Sequence, residues 1–124
     1  MRRQEVTERR AERAPSVRCA SYVRTATTDE SSITRQREET GALVRMHAAD
    51  GWVLVAPPYE DVGVSGREAD RPGLMQLLGD VEAGCIDVVI AADVARLGRS
   101  ARLVGEILAR FAARGVAVVH PLSG

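Results

Sequence analysis

No lysine occurs in this chain, and all seventeen of its basic residues are arginine. Alongside abundant alanine and glycine, that bias reads as the mark of a GC-rich coding sequence, so arginine number alone argues for no particular chemistry. An overall net charge is missing too, since seventeen basic side chains face seventeen acidic ones. The balance is uneven along the chain: residues 1–18 hold six arginines against Glu5, Glu8 and Glu12, which leaves residues 19–124 with three more acids than bases. Non-specific affinity for nucleic acid grows with the number of phosphates neutralised, so an acidic core cannot grip a phosphate backbone by bulk charge. Any such contact must be local or assisted.

Long apolar runs are also absent. Nothing approaches the roughly 18 residues of a membrane span, and the arginine- and glutamate-rich start lacks the apolar stretch of a signal peptide. No membrane partner is expected, and the expected location is cytoplasmic. The two cysteines, Cys19 and Cys85, are far apart, with no further Cys or His at ligand spacing. Both read as buried thiols, neither a disulfide nor a metal site. Met46, His47 and His120 likewise have no partners at metal or triad spacing, so packing or exposure accounts for them, and Trp52 reads as core.

What is present fits one domain with a real core: 124 residues, 45% hydrophobic. Residues 1–15 are charged, aperiodic and closed by Pro15, and read as a basic, disordered arm; residues 16–124 form the domain. Strands are predicted over 17–25, 52–55, 86–92 and 116–120, the last two apolar on both faces as buried parallel strands are. Helices are predicted from Ser32 to about Ala49, from an Asp70 cap through Leu74, Leu77, Leu78 and Val81 to Gly84, and from Ser100 to Arg114. The resulting β-α-β-α-β-α-β order, with right-handed crossovers, predicts a three-layer α/β/α sandwich around a mainly parallel four-stranded sheet.

In such folds sites lie beyond the carboxyl ends of the strands. The loops to inspect are residues 25–32, 59–71 and 93–100. On or beside them stand Arg24, Arg71, Arg96 and Arg99. Four planar, permanently charged guanidinium groups converging there would suit a phosphate and stabilise the charge of a phosphoryl-transfer transition state. Gly63-Val-Ser-Gly66 lacks the lysine and the strand-to-helix context of a nucleotide phosphate loop.

Five words recur in a telling order: Tyr22-Val-Arg-Thr-Ala-Thr, Ser32-Ile-Thr-Arg-Gln-Arg-Glu, Asp61-Val-Gly-Val-Ser-Gly, Asp70-Arg-Pro-Gly-Leu and Arg96-Leu-Gly-Arg-Ser. From about Val17 onward they resemble the resolvase/invertase type of serine recombinase. The resemblance implies that family's catalytic fold and its chemistry. There, a serine after the first strand attacks a DNA phosphodiester, forms a phosphoserine link and later releases it to a new strand, without metal or cofactor. It assigns Arg24, Arg71, Arg96 and Arg99 to phosphate binding and catalysis, with Gln36, Asp61 and Ser65 in support.

Two positions depart from the family pattern. Its serine falls on Ala26, which has no oxygen to attack phosphorus, and its aspartate before the last arginine pair falls on Ala95. The family also continues into a long dimerisation helix and a helix-turn-helix domain, neither of which is expected here after Gly124. The expectation is therefore a cleavage-impaired remnant of a mobile element that holds DNA phosphate weakly or with assistance, or partners a full-length recombinase subunit. Three alternatives stay open: an active subunit using Thr27, Thr25 or a partner chain; an interaction module or truncated gene product with no nucleic-acid role; and a nucleotide- or flavin-binding protein, suggested by fold alone.

Overall fold

A computed structural model describes residues 16–63, 71–98 and 100–121, with the side chains of Val94 and Ala95 left outside that description. The expected arm over residues 1–15 also lies outside it. Strand β1 (Val17–Thr25) is followed by helix α1 (Glu30–Met46), a 3-10 turn (Ala48–Asp50), β2 (Trp52–Leu54) and β3 (Tyr59–Val62). Then come α2 (Pro72–Glu82), β4 (Val88–Ala91), a second 3-10 turn (Val94–Leu97), α3 (Ala101–Ala113) and β5 (Ala117–Val119). No helix among the described residues is long and apolar enough to cross a membrane.

All the strand pairs are parallel, in the order β2-β1-β4-β5. The sheet has five strands rather than the expected four, because β3 also pairs with β1. One edge of β1 is shared: Val17–Cys19 pair with β2, and Tyr22–Thr25 pair with β3. The sequence hid β3 inside a loop because Tyr59-Glu-Asp-Val carries two acids, poor strand formers, although its burial alternates as a strand should.

Alternation along β1 and β4 makes two cores. Cys19, Val88 and Ile90 face α1 through Val44, while Ala20, Tyr22 and Val89 face α2 and α3 through Leu74, Leu77, Leu78, Val81, Ile107 and Phe111. One helix on one face and two on the other give the three layers expected. Of the α3 residues read as buried, Ile107 and Phe111 are, whereas Leu103, Val104 and Leu108 are partly covered.

Helix ends also differ from expectation. α1 starts at Glu30 because Asp29 caps it, accepting from the Ser31 N–H at 3.0 Å and the Ser31 hydroxyl at 2.8 Å. It stops at Met46, and Gly51, at φ 89°, turns the chain into β2. Asp70 lies outside the described residues; the cap position of α2 falls on Arg71, which supplies no side-chain cap. Ser100, expected as the first residue of α3, is instead its cap, accepting from Leu103 N–H at 3.1 Å. Of the cysteines, Cys19 is buried but Cys85 is exposed, because it lies on the turn after Gly84 while the next residue, Ile86, enters the core. Trp52 is half-buried and stacks on His47, their ring centroids 4.4 Å apart.

Candidate functional site

β1 outruns its neighbour at the carboxyl end of the sheet. β4 pairs with it only as far as Tyr22, so the backbone of Arg24 has no strand partner on that side. Gln36, fully buried on α1, fills the gap: its Oε1 accepts from the Arg24 N–H at 3.2 Å and its Nε2 donates to the Arg24 carbonyl at 3.1 Å. The carboxamide thus imitates a neighbouring strand for one residue and fixes where Arg24 leaves the sheet.

On the other side, β3 brings Asp61 opposite Arg24. Asp61 is 3% exposed and accepts three hydrogen bonds, from the Tyr22 hydroxyl at 2.6 Å, Gly73 N–H at 2.7 Å and Leu74 N–H at 2.9 Å. The last two are free N–H groups of the first turn of α2, so Asp61 does from β3 what a local cap residue does elsewhere. Gly73 is required for this approach, because a Cβ there would lie 2.6 Å from the Glu60 carbonyl oxygen. Burial, and next the bond to Asp61, push the Tyr22 hydroxyl well above its usual pKa and keep it a donor.

The clamp sets the start of α2, and therefore Arg71. Its guanidinium lies 6.0 Å from the Tyr22 ring centre, fully buried. Nη1 donates to the Arg96 carbonyl at 3.3 Å and Nη2 to the Leu97 carbonyl. Arg24 Nε donates to the same Arg96 carbonyl at 2.9 Å, and Arg96 Nη1 returns a bond to the Arg24 carbonyl at 3.4 Å. Three guanidinium groups therefore meet around the 3-10 turn over 94–97. Burial, then the neighbouring Arg71 charge, lower the Arg24 pKa. Asp93 lies 3.6 Å from Arg96 Nε, an ion pair too long for a hydrogen bond. A partly desolvated cluster of three guanidinium groups around one turn attracts an anion.

Ala26 is exposed at the bend just after β1, two residues beyond Arg24. Its neighbours are engaged locally. Thr25 is 3% exposed and its hydroxyl donates to the Thr27 carbonyl at 2.5 Å, while the exposed Thr27 accepts from the Asp29 N–H at 3.3 Å through Oγ1. Arg99, Ser65 and the side chain of Ala95 lie outside the described residues.

A family profile described as "Resolvase, N terminal domain" matches residues 19–121. The chain belongs to the resolvase family. It is 36% identical over 107 residues to a resolvase from Escherichia coli, which covers 82% of this chain but only 45% of that protein, so the chain spans less than half of its relative. Among solved structures it is similar to the C-terminal catalytic domain of ISC1926 TnpA, an IS607-like serine recombinase, at 27% identity and a TM-score of 0.72, covering 86% of this chain and 69% of that one. It is equally close in fold to the N-terminal catalytic domain of TP901-1 integrase, at 28% identity and a TM-score of 0.72, covering 83% and 76%.

In this resolvase-family domain, Arg24, Arg71 and Arg96 lie together beyond the strand ends, and no sequence signal showed what holds them. Nothing in the sequence assigned Tyr22 a role, and the work of Asp61 as the cap of α2, twelve positions away, had no local sign. The signals available were the glycine of Asp70-Arg-Pro-Gly, which marks a close backbone approach, and the alternation of Tyr59 and Asp61.

Proposed function

We propose that this domain holds a DNA phosphate at the carboxyl end of its sheet and does not cut the strand. The observation that carries this reading is the pairing of a convergent cluster, Arg24 and Arg71 on the Arg96 carbonyl and Arg96 on the Arg24 carbonyl, with a side chain lacking any oxygen at exposed Ala26. Family membership supports DNA as the source of the phosphate and site-specific recombination as the setting, with a full-length recombinase subunit as a partner. Arg99, Gln36, Asp61 and Ser65 belong to the proposed site, Gln36 and Asp61 as positioning residues.

Loss of a covalent nucleophile costs on the order of a million-fold in rate when the catalytic groups act as a unit. Ala26 therefore excludes phosphoserine chemistry at that position, and Ala95 removes a carboxylate that would orient an arginine or handle a proton. The buried, bonded hydroxyl of Thr25 argues against its serving instead. The test is a nicked duplex that traps covalent intermediates, run with the natural chain, Ala26→Ser and Arg96→Ala. The natural chain is expected to bind in a salt-sensitive way and form no adduct, and Arg96→Ala to lose the binding. An adduct on the natural chain, mapped to Thr27 or Thr25, would overturn the non-cleaving reading, and absence of binding at low salt would overturn the DNA reading.

A further inference from the structure

Ten arginines lie among the described residues, and their pairing follows a pattern. Arg18 pairs with Asp87 at 2.9 Å, Arg37 with Glu60 at 2.5 Å, and Arg110 and Arg114 with Glu82 at 3.5 and 3.1 Å. Arg45 has no ion pair among the described residues but lies in the last turn of α1, where the negative end of the helix dipole favours a cation. Arg24, Arg71 and Arg96 form the cluster already described. Arg35 and Arg102 remain. Both are exposed, and among the described residues neither has a carboxylate within ion-pair distance, although Glu38 and Glu39 follow Arg35, and Glu106 follows Arg102, at helical spacing. Arg35 contributes least to the lowered pKa of Asp29, whose carboxylate is bonded chiefly to Ser31.

Their positions are specific. Arg37 reaches Glu60 on β3, so it leans over the β3 side of β1. Two residues earlier is about 200° around an α-helix, which turns Arg35 toward the opposite flank. That is the β4 side, where the 94–97 turn lies. Arg102 is the second residue of α3, which begins just after that turn and packs on the other face of the sheet. In the first helical turn a cation opposes the dipole, and α3 has no acid there to offset it. The fold thus keeps two cations without a described carboxylate partner on opposite faces of the sheet, bracketing the Arg24 and Arg96 cluster.

We infer that Arg35 and Arg102 extend the cluster into a rim that follows a phosphodiester backbone, each meeting a phosphate on either side of the one held by Arg24 and Arg96. The inference rests on the reading of that cluster as a DNA-phosphate site and names the ligand as a continuous polyanion rather than a single phosphate. A core with a net excess of acid can bind DNA in this way because Arg18, Arg37, Arg110 and Arg114 are held in ion pairs elsewhere, while Arg35 and Arg102 stand beside the cluster without a described carboxylate partner.

The experiment is fluorescence anisotropy of the full chain with a labelled duplex, titrated from roughly 50 to 200 mM salt. Arg35→Ala and Arg102→Ala are compared with Arg45→Ala, an arginine at the other end of α1. Removing one arginine–phosphate interaction should lower the slope of log K against log salt by about 0.9, and the double variant should lower it by about 1.8. Affinity at low salt should fall several-fold for any duplex sequence, with melting temperatures unchanged because both side chains are exposed. Slopes equal to those of Arg45→Ala, in a chain that still binds and still needs Arg96, would overturn the rim and leave the central site standing. No binding by the natural chain would overturn both.

Discussion

Asp61→Ala should be among the most damaging single changes in this domain, and the structure gives the reasons. The carboxylate is 3% exposed and accepts from Tyr22 Oη and from the Gly73 and Leu74 N–H groups. Losing a helix cap costs about 1 kcal/mol, and a buried hydroxyl left without an acceptor costs about 1–3 kcal/mol more. With the second amide orphaned, the loss should reach about 3–4 kcal/mol, a large part of the roughly 5–15 kcal/mol that holds a domain folded. At about 4 °C per kcal/mol for a chain of this size, the thermal midpoint should fall by roughly 12–16 °C in a circular dichroism melt. Tyr22→Phe alone should cost about 1 kcal/mol, since Asp61 keeps its two amides. The two changes together should be less harmful than their sum by about 1–2 kcal/mol, because Phe removes the hydroxyl that Ala orphans. An Asp61→Ala midpoint within about 4 °C of the natural chain, or strict additivity with Tyr22→Phe, would refute the clamp.

Two further outcomes follow from the packing. Helix propensity alone predicts that Gly73→Ala stabilises by up to about 1 kcal/mol, but the new Cβ would meet Glu60 backbone atoms at 2.6 and 2.8 Å. The expected result in urea unfolding is a net loss of about 2 kcal/mol, whereas Gly79→Ala in the same helix, with nothing within 4 Å, should gain. Arg18 donates to Asp87 through Nε at 3.0 Å and Nη2 at 2.9 Å, which depresses the Asp87 pKa. A depressed carboxyl stabilises the fold above its unfolded range, about pH 4, and loses that contribution as the pH falls through the folded value. The stability difference between the natural chain and Asp87→Asn should therefore close on acidification below pH about 4; a difference constant with pH would refute the assignment.

Much of the fold was legible because the signals were local. Val88-Val-Ile-Ala and Ala117-Val-Val are apolar on both faces, and α2 repeats its leucines at helical spacing, so pattern alone placed them. β3 was not legible, because its acids serve the structure from a distance: Glu60 pairs with Arg37 on α1 and Asp61 caps α2. Cys85 was misread as buried because a thiol's usual preference says nothing of a turn that happens to face solvent. At the site, the rule that loops at the carboxyl ends of strands carry function singled out Arg24, Arg71 and Arg96 together. It could not say that Arg71 would be wholly buried, since charged side chains almost never are unless paired.

That burial bears on how such a site can change. Arg71 donates to the Arg96 and Leu97 carbonyls, and Arg24 adds a second bond to the Arg96 carbonyl, so the buried guanidinium groups satisfy main-chain oxygens that would otherwise be orphaned. Removing either damages the fold as well as the site. Ala26 is the reverse case: it is exposed at a bend, and the surrounding loop is held by Thr25, Thr27 and Asp29, not by anything at position 26. On the proposed non-cleaving reading, an alanine at position 26 would therefore cost chemistry but not stability. Retention of the buried arginines says little about activity, because the fold needs them regardless. The exposed Arg35 and Arg102 carry more weight: among the described residues no ion pair holds them in place, and Arg102 opposes its own helix, as a side chain kept for a ligand would.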